Sequence, residues 1–136
     1  MRGFSLIALI IVAAIIALLA SIALPAYHDY VARAQVAEGY SLASDARIAV
    51  DVYHAEREGF LIGNEDAGLA SPVSIMGRYV TPIDLHENGV IEVEFGNQAS
   101  SRISGAKLAL TMVDEGGSLH WNCSGLDGRY LPPACR

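Results

Sequence analysis

The sequence predicts an α+β protein in which one long N-terminal α-helix packs its second half on a four-stranded antiparallel sheet. Residues 4–24 are apolar almost without interruption, and residues 26–57 continue with helical periodicity. Four strand-like runs follow, and a pair of cysteines lies close to the C-terminus. The chain of 136 residues has room for one compact domain besides the apolar segment.

The first element is the apolar run at residues 4–24, which carries no charge and only two polar side chains, Ser5 and Ser21. About 21 residues of helix span the roughly 30 Å hydrocarbon core of a bilayer. A secretory signal has a shorter apolar region, of about 7–15 residues, followed by a small-x-small cleavage site. Ser21-Ile22-Ala23 resembles such a cleavage site. Cleavage near Ala23, with release of a soluble domain, is therefore an alternative to a membrane anchor. The length of the run, with Arg2 on the cytoplasmic side, favours a retained membrane anchor.

The helix is predicted to continue past Pro25 as far as residue 57. Proline removes a backbone donor and disturbs the preceding turn, so we expect a kink or a loosened turn there. A continuous helix over residues 4–57 would be on the order of 80 Å long. Beyond the proline, apolar residues recur at three- and four-residue steps, which predicts a face that packs on the rest of the domain. This face consists of Val36, Tyr40, Ala43, Ala46, Val50 and Tyr53.

Four strand-like runs follow an irregular connection that is rich in glycine and turn-forming residues. Asn88-Gly89 lies between the first two runs and is a signal for a tight hairpin, and Gly116-Gly117 indicates a second hairpin turn. Pro82 within the first run suits an edge strand. Apolar and polar side chains alternate, which predicts a sheet with one buried face. The runs cover residues 78–86, 89–95, 106–113 and 118–124.

The two cysteines, Cys123 and Cys135, lie near the C-terminus. Behind an export segment they would meet an oxidising compartment, where a disulfide is expected. A closed loop of about 13 residues stabilises a fold by roughly 3 kcal/mol through chain entropy. Free thiols and a metal pair are the alternatives, although no histidine pair lies nearby to complete a metal site. Residues 124–134, between the cysteines, are typical of an exposed turn.

Composition and motifs indicate a chain without catalytic chemistry. The net charge is -6 and the pI is near 5.0, which argues against nucleic acid as a partner because phosphate binding needs clustered cations. Glu92 and Glu94 alternate on one strand face and are predicted to be solvated. We therefore predict no enzyme activity, no catalytic residue, no metal and no cofactor. The histidines are widely spaced and are predicted to lie on the surface or at sheet edges: His28, His54, His86 and His120.

Both ends of the chain resemble type IV pilins. Residues 3–35, GFSLIALIIVAAIIALLASIALPAYHDYVARAQ, resemble the N-terminal segment of that family, in which glycine and phenylalanine precede a long apolar helix ending in ALPAYxDYxARAQ. Residues 121–136, WNCSGLDGRYLPPACR, resemble the disulfide-closed C-terminal region of its type IVa major pilins. The two matches lie at opposite ends of the chain, and the middle aligns only in outline.

The resemblance implies a processing site and three segments. A prepilin peptidase would cut between Gly3 and Phe4, and the new terminal Phe4 would be N-methylated. Residues 1–3 would then be a short leader, residues 4–25 a transmembrane and filament-core helix, and residues 26–136 a globular domain. The subunit would cross the bacterial inner membrane once before assembly and would afterwards lie in an extracellular pilus filament.

The function that the resemblance implies is structural. The chain would be a subunit of a type IV pilus (a fimbrium), assembled by the pilus machinery into a homo-oligomeric helical filament. Twitching motility, cell adhesion through surface or host receptors, and DNA uptake would follow from the fibre. One alternative is a minor or competence-type pilin that binds DNA, but the basic residues are dispersed among acids. Another is a secretion-system pseudopilin, which the terminal disulfide loop disfavours.

Two features depart from the family pattern. Ala8 stands where the family has a glutamate, which is understood to offset the amino-terminal charge of a neighbouring subunit inside the apolar core. The amine of a processed Phe4 would lack that partner, which keeps the specialised-subunit alternative open. The leader is shorter than is usual, although it keeps Arg2 and Gly3. We expect Phe4, Ala8 and Pro25 to determine assembly.

Overall fold

A long helical region opens the structure, a computed structural model that describes residues 3–57, 59 and 63–135. Helix α1 spans Leu6–Leu42 and helix α2 spans Ser44–Arg57. The predicted long helix is present, and Ala43, with a ψ of -2°, is the one residue between its two segments. Glycine and serine residues near this point weaken the helix relative to alanine. Hydrogen bonding nevertheless continues across the break, since the Arg47 N–H donates to the Ala43 carbonyl at 3.0 Å.

The sheet consists of four antiparallel strands that follow one another in chain order. Two short turns and a longer connection over residues 96–106 join the strands, and each strand after β1 pairs with the strand before it. All four predicted strands are present with boundaries within two residues, which confirms the α+β class. The strands are β1 at Val80–His86, β2 at Val90–Phe95, β3 at Lys107–Asp114 and β4 at Leu119–Ser124.

The turn signals lie where the sequence predicted them. Asn88 and Gly89 have φ angles of 63° and 69° at the β1–β2 connection, a left-handed conformation that asparagine and glycine tolerate. Gly116 and Gly117 form the β3–β4 turn, with φ angles of 70° and 101°. Pro82 lies in edge strand β1 between Val80 and Ile83, where the pairing register shifts.

The core lies between the sheet and one face of the two helices, as the helical periodicity predicted. Gly39 lets the helix approach closely, because a Cβ atom there would lie 2.7 Å from the Phe95 ring. The buried strand side chains alternate, with Ile91, Val93 and Phe95 on the inner face of β2. The predicted helix face is buried at Val36, Ala43, Ala46 and Val50, and partly buried at Tyr40 and Tyr53.

Two buried polar side chains join distant segments. The Gln35 Oε1 atom accepts a hydrogen bond from the Ser100 N–H at 2.7 Å, which ties α1 to the β2–β3 connection. Asn64 lies in the connection between α2 and β1 and bonds to the free edge of β1. Together with a 3₁₀ turn at Pro72–Ser74, the Asn64 bonds hold the irregular connection against the sheet.

Candidate assembly site

The first half of α1 extends away from the domain without a covering layer. Its side chains are exposed from residue 6 to residue 24, apart from the half-buried Ala20. These include isoleucine and leucine at nearly every turn, and no charged residue occurs among them. Among the described residues, the helical region from Leu6 to Arg57 is the one stretch long and apolar enough to cross a membrane. An exposed apolar surface of this size requires burial in lipid or against protein.

Pro25 lies within α1 and does not end it. Because proline has no N–H, the carbonyl of Ser21 loses its usual helical donor. The Ser21 hydroxyl donates to a different carbonyl, that of Leu18, at 2.7 Å. The helix is thus continuous across the proline, with a turn that has fewer backbone hydrogen bonds than its neighbours.

The predicted processing site lies directly before α1. Gly3 has open space around its Cα, and Phe4 is 79% exposed. Ser5 has an extended backbone conformation and precedes the first helical residue. The bond between Gly3 and Phe4 is therefore in an accessible, non-helical segment, the kind of segment that a peptidase can bind. Met1 and Arg2, the rest of the predicted leader, lie outside the described residues.

Ala8 is exposed in the first turns of α1. No residue from 4 to 24 carries a charge, so this part of the helix offers no carboxylate to a neighbouring amine. The structure places Ala8 and Pro25 on the exposed part of α1 and Phe4 in the non-helical segment just before it, and all three are exposed.

The C-terminal segment closes on the sheet through the predicted disulfide. Cys123 in β4 is bonded to Cys135, and their Cα atoms are 5.3 Å apart. The alternatives of free thiols or a metal pair are therefore wrong. The expectation of a wholly exposed loop was also wrong, because Tyr130 and Pro132 are buried. An aromatic ring and a proline near the end of the chain extend the small core beside β4.

The same loop is attached to α1 just beyond Pro25. The Tyr130 hydroxyl donates to the Asp29 carboxylate at 3.3 Å, and the Arg33 Nε donates to the Arg129 carbonyl at 3.1 Å. These contacts fix the direction in which the apolar helix leaves the domain. The sequence separation of about one hundred residues explains why helical and strand periodicity did not reveal them.

Charged groups on the outer face of the sheet pair with one another. The Lys107 Nζ lies 2.7 Å from the Glu92 carboxylate and 3.7 Å from that of Glu94. The hydrogen bond from Lys107 holds the pKa of Glu92 below its ordinary value. The two glutamates are therefore partnered by a lysine on the neighbouring strand, and the arrangement is that of a solvated sheet face.

His54 departs from the expectation of a surface or sheet-edge histidine. It lies on α2 with its ring largely buried, and its Nε2 is 3.6 Å from the Asp114 carboxylate at the end of β3. The hydrogen bond from the backbone N–H of Gly117 is the main cause of the lowered pKa of Asp114. The interaction with His54 lowers this pKa further. The residues that the structure describes contain no group of three or more histidine, cysteine, aspartate or glutamate side chains arranged to hold a metal.

These features define a class of protein: a compact head closed by a disulfide, attached to one exposed apolar helix that must be buried elsewhere. The chain belongs to the pilin family, described as forming a bacterial filament, whose family model matches residues 32–136. That match covers the C-terminal resemblance and reaches only the end of the N-terminal one. Family membership makes the chain a structural subunit of a bacterial pilus.

Full-length relatives extend the comparison to the N-terminal helix. The chain is 41% identical to the fimbrial protein EcpC of Eikenella corrodens over 140 residues, covering 99% of this chain and 90% of the relative. It is 36% identical to the type IV major pilin protein PilE1 of Neisseria gonorrhoeae over 154 residues, covering 99% and 93%. It is 35% identical to the type IV major fimbrial protein FimA of Dichelobacter nodosus over 152 residues, covering 99% and 95%.

Proposed function

We propose that this chain is a type IV pilus subunit whose apolar helix serves first as a membrane anchor and then as the core of the filament. One observation carries the proposal: residues 6–24 form a helix that is exposed on all sides, while the head has a closed core of its own. The head does not need this helix in order to bury its apolar side chains. The helix is therefore available for lipid and for other copies of the chain.

The change of environment is physically reasonable because both surroundings are apolar. Removing such a helix from water buries on the order of 1,500–2,000 Å², which is worth roughly 40 kcal/mol at 25 cal/mol per Å². The helix therefore does not remain in water at any stage. Assembly depends on the much smaller difference between lipid and neighbouring helices.

The processing steps and segment boundaries belong to the same proposal. A prepilin peptidase removes residues 1–3 by cutting between Gly3 and Phe4, and Phe4 becomes the N-methylated terminus. Residues 4–25 cross the inner membrane and later form the filament core, while residues 26–136 form the exposed head. The open, non-helical backbone at Gly3 and Phe4 supports access by a peptidase. Motility, adhesion to surfaces or host receptors, and DNA uptake follow from the fibre and its motors.

A second candidate is a specialised subunit that occupies a limited number of positions in the pilus. Ala8 favours it, because a neighbouring Phe4 amine would find no carboxylate on this apolar helix. A role in direct DNA binding is less well supported, since the net charge is -6 and the basic side chains pair with acids on the sheet face. The relatives named as major pilins support the first candidate over the second.

The proposal is tested by placing a charge on the apolar helix. Ile15 and Met76 are similarly exposed, at 54% and 58%, but Ile15 lies on the anchor helix and Met76 on the head. We expect Ile15→Lys to eliminate the chain from sheared filaments, because a charge in an apolar environment is costly. Met76→Lys serves as the matched control and should assemble normally. Normal assembly of Ile15→Lys, or absence of the wild-type chain from sheared filaments, would contradict the proposal.

A further inference from the structure

Three arginines converge at the base of the head, where the apolar helix leaves it. Arg33 lies on α1, Arg102 in the connection between β2 and β3, and Arg129 in the C-terminal loop, and all three are exposed. Tyr27 and Tyr30 are exposed on the preceding turns of α1. We call these five residues the basal patch. The patch concentrates positive charge in a chain whose net charge is -6.

Contacts between three segments hold the arginines close together. The Arg33 Nε donates to the Arg129 carbonyl at 3.1 Å, which places the C-terminal loop beside α1. The Arg102 Nη1 lies 3.5 Å from the Asp29 carboxylate, and the Tyr130 hydroxyl donates to the same oxygen at 3.3 Å. Asp29 therefore joins the β2–β3 connection and the C-terminal loop to the helix, one turn before Arg33.

The carboxylates in this region leave one arginine unneutralised. Asp29 pairs with Arg102. Asp127 pairs with Arg129, with 3.0 Å between the carboxylate and the Arg129 Nε. Arg33 makes no ion pair with any carboxylate that the structure describes, and its bond to the C-terminal loop uses only Nε. The terminal nitrogens of Arg33 are therefore available to an anion, and a guanidinium binds phosphate oxygens well because its N–H groups form a planar fork.

The patch lies at the level of the lipid headgroups when residues 4–24 are in a bilayer. At 1.5 Å per residue, Arg33 is about 14 Å beyond Leu24, where the apolar run ends. The headgroup layer on each side is roughly 5–8 Å thick. A helical side chain points back toward the N-terminus and arginine is long, so the guanidinium extends down to this layer. Tyr27 and Tyr30, which are 63% and 71% exposed, lie between the two levels, where tyrosine is enriched in membrane proteins.

We infer that the basal patch binds anionic lipid headgroups while the subunit is in the inner membrane, and that Arg33 provides most of the preference for anionic over zwitterionic lipid. This inference rests on the proposed function, because it requires that the apolar helix lie in a bilayer. It gives the base of the head a partner of its own before assembly. A basic side chain near an anionic membrane surface strengthens association by about fivefold.

Lipid selectivity of the full-length chain tests the inference. The chain is placed in nanodiscs that contain equal amounts of phosphatidylglycerol, which is anionic, and phosphatidylcholine, which is zwitterionic. Native mass spectrometry then measures the ratio of the two lipids retained on the chain. Arg33→Gln removes the charge at the patch. Arg57→Gln is the matched control, because it removes the same charge from an exposed arginine at the far end of α2.

We expect Arg33→Gln to lower the ratio of anionic to zwitterionic lipid by about two- to fivefold relative to the wild type. Arg57→Gln should leave the ratio unchanged, since Arg57 is roughly 50 Å from Leu24 along the helix, well beyond the screening length. Arg33→Lys should keep the ratio, because it retains the charge although it loses the bond from Nε to the Arg129 carbonyl. Arg2, at the other end of the apolar run, is the same in every variant, so differences between variants report on the head.

The contrary results separate the inference from the proposed function. Equal ratios for the wild type and Arg33→Gln would overturn the inference and leave the proposed function intact. An equal fall for Arg57→Gln would also overturn it, because the effect would then follow total charge and not the patch. A fall for Arg33→Lys as large as that for Arg33→Gln would assign the effect to the loop contact, which contradicts the inference. Failure of the wild-type chain to enter the bilayer of the nanodisc would overturn the proposed function itself.

Discussion

Asn64 provides a sharp test of how the connection between helix and sheet is held. Its side chain is 5% exposed and makes three hydrogen bonds to backbone groups. The Oδ1 accepts from the Leu85 N–H at 2.7 Å, and the Nδ2 donates to the carbonyls of Ile83 and Ala70 at 3.2 Å and 3.0 Å. The amide thus pairs with the free edge of β1 as another strand would.

We expect Asn64→Ala to lower the free energy of unfolding by about 3 kcal/mol. A buried donor left without a partner costs about 1–3 kcal/mol, and two carbonyls lose their donor as well. The Leu85 N–H contributes most, because a carbonyl oxygen has a second lone pair with which to find another donor. Exposed Asn122 provides the control, since a surface Asn122→Ala change is expected to stay within about 0.5 kcal/mol.

Asn64→Asp separates the hydrogen bonds from simple loss of volume. A carboxylate keeps the acceptor for the Leu85 N–H but faces two carbonyl oxygens, so burial and repulsion raise its pKa above the unfolded value. The penalty is therefore largest at neutral pH and becomes smaller as the pH falls below the raised pKa, where a protonated carboxyl can donate. Asn64→Ala should show no such dependence relative to the wild type.

The measurement is urea unfolding of the full-length chain in detergent micelles, monitored by the fluorescence of Trp121. This is the one tryptophan, and it packs against the core from β4. A loss below about 1 kcal/mol for Asn64→Ala, within the range of an exposed surface substitution, would refute the reasoning. A difference between Asn64→Asp and the wild type that stays constant with pH would also refute it.

Three further predictions concern the disulfide, the sheet face and the apolar helix. Replacing Cys123 and Cys135 together by serine should lower the free energy of unfolding by about 3 kcal/mol, measured by urea unfolding in detergent. Lys107→Met should raise the pKa of Glu92 toward its ordinary value, measured by carbon NMR of the labelled carboxyl. In the wild type, the stabilisation from Glu92 is present above its unfolded pKa and is lost as the pH falls through the lower folded value. Ala8→Glu should increase the yield of sheared filaments, whereas Ala8→Gln should not, because only the acid can offset a buried amine.

Each of these predictions has a clear contrary result. Unchanged stability of the double serine variant would mean that the C-terminal loop is held by Tyr130 and Pro132 alone. A Glu92 carboxyl that titrates identically with and without the lysine would mean that the ion pair does not form in solution. Equal filament yields for the glutamate and glutamine variants at position 8 would show that the charge has no role there.

The periodic parts of the fold were predictable from the sequence because their signals are local. The helical recurrence from Val36 to Tyr53 identified the buried helix face, and alternation from Val90 to Phe95 identified the inner sheet face. Asn88-Gly89 identified its turn because few residues tolerate the left-handed conformation found there. The apolar segment was evident from composition alone.

The remaining features depend on contacts between distant segments. The bond between Gln35 and Ser100 joins residues that are 65 positions apart, and no local pattern reports it. Asn64 resembles any turn asparagine until the edge of β1 is placed beside it. Tyr130 lies in a segment whose sequence is typical of an exposed turn, although the tertiary fold buries it in the core beside the sheet.

Which apolar residues of the helices face the sheet could not be recognised from the sequence of the helices alone. Ile48 and Val52 satisfy helical periodicity as well as the core residues do, and the orientation of the helix on the sheet decides which set is exposed. The break at Ala43 was equally hidden, because one residue with a shifted ψ angle leaves the hydrogen bonding on both sides intact.

The central claim is that the apolar helix stays attached to the head and passes from membrane to filament. The most direct test is the intact mass and N-terminal residue of the chain recovered separately from inner membranes and from sheared filaments. We predict a chain that begins at N-methylated Phe4 and extends to the C-terminus in the filament, with the same apolar residues present in the membrane fraction. A mature chain that begins at Leu24, after the apolar segment, would contradict the account.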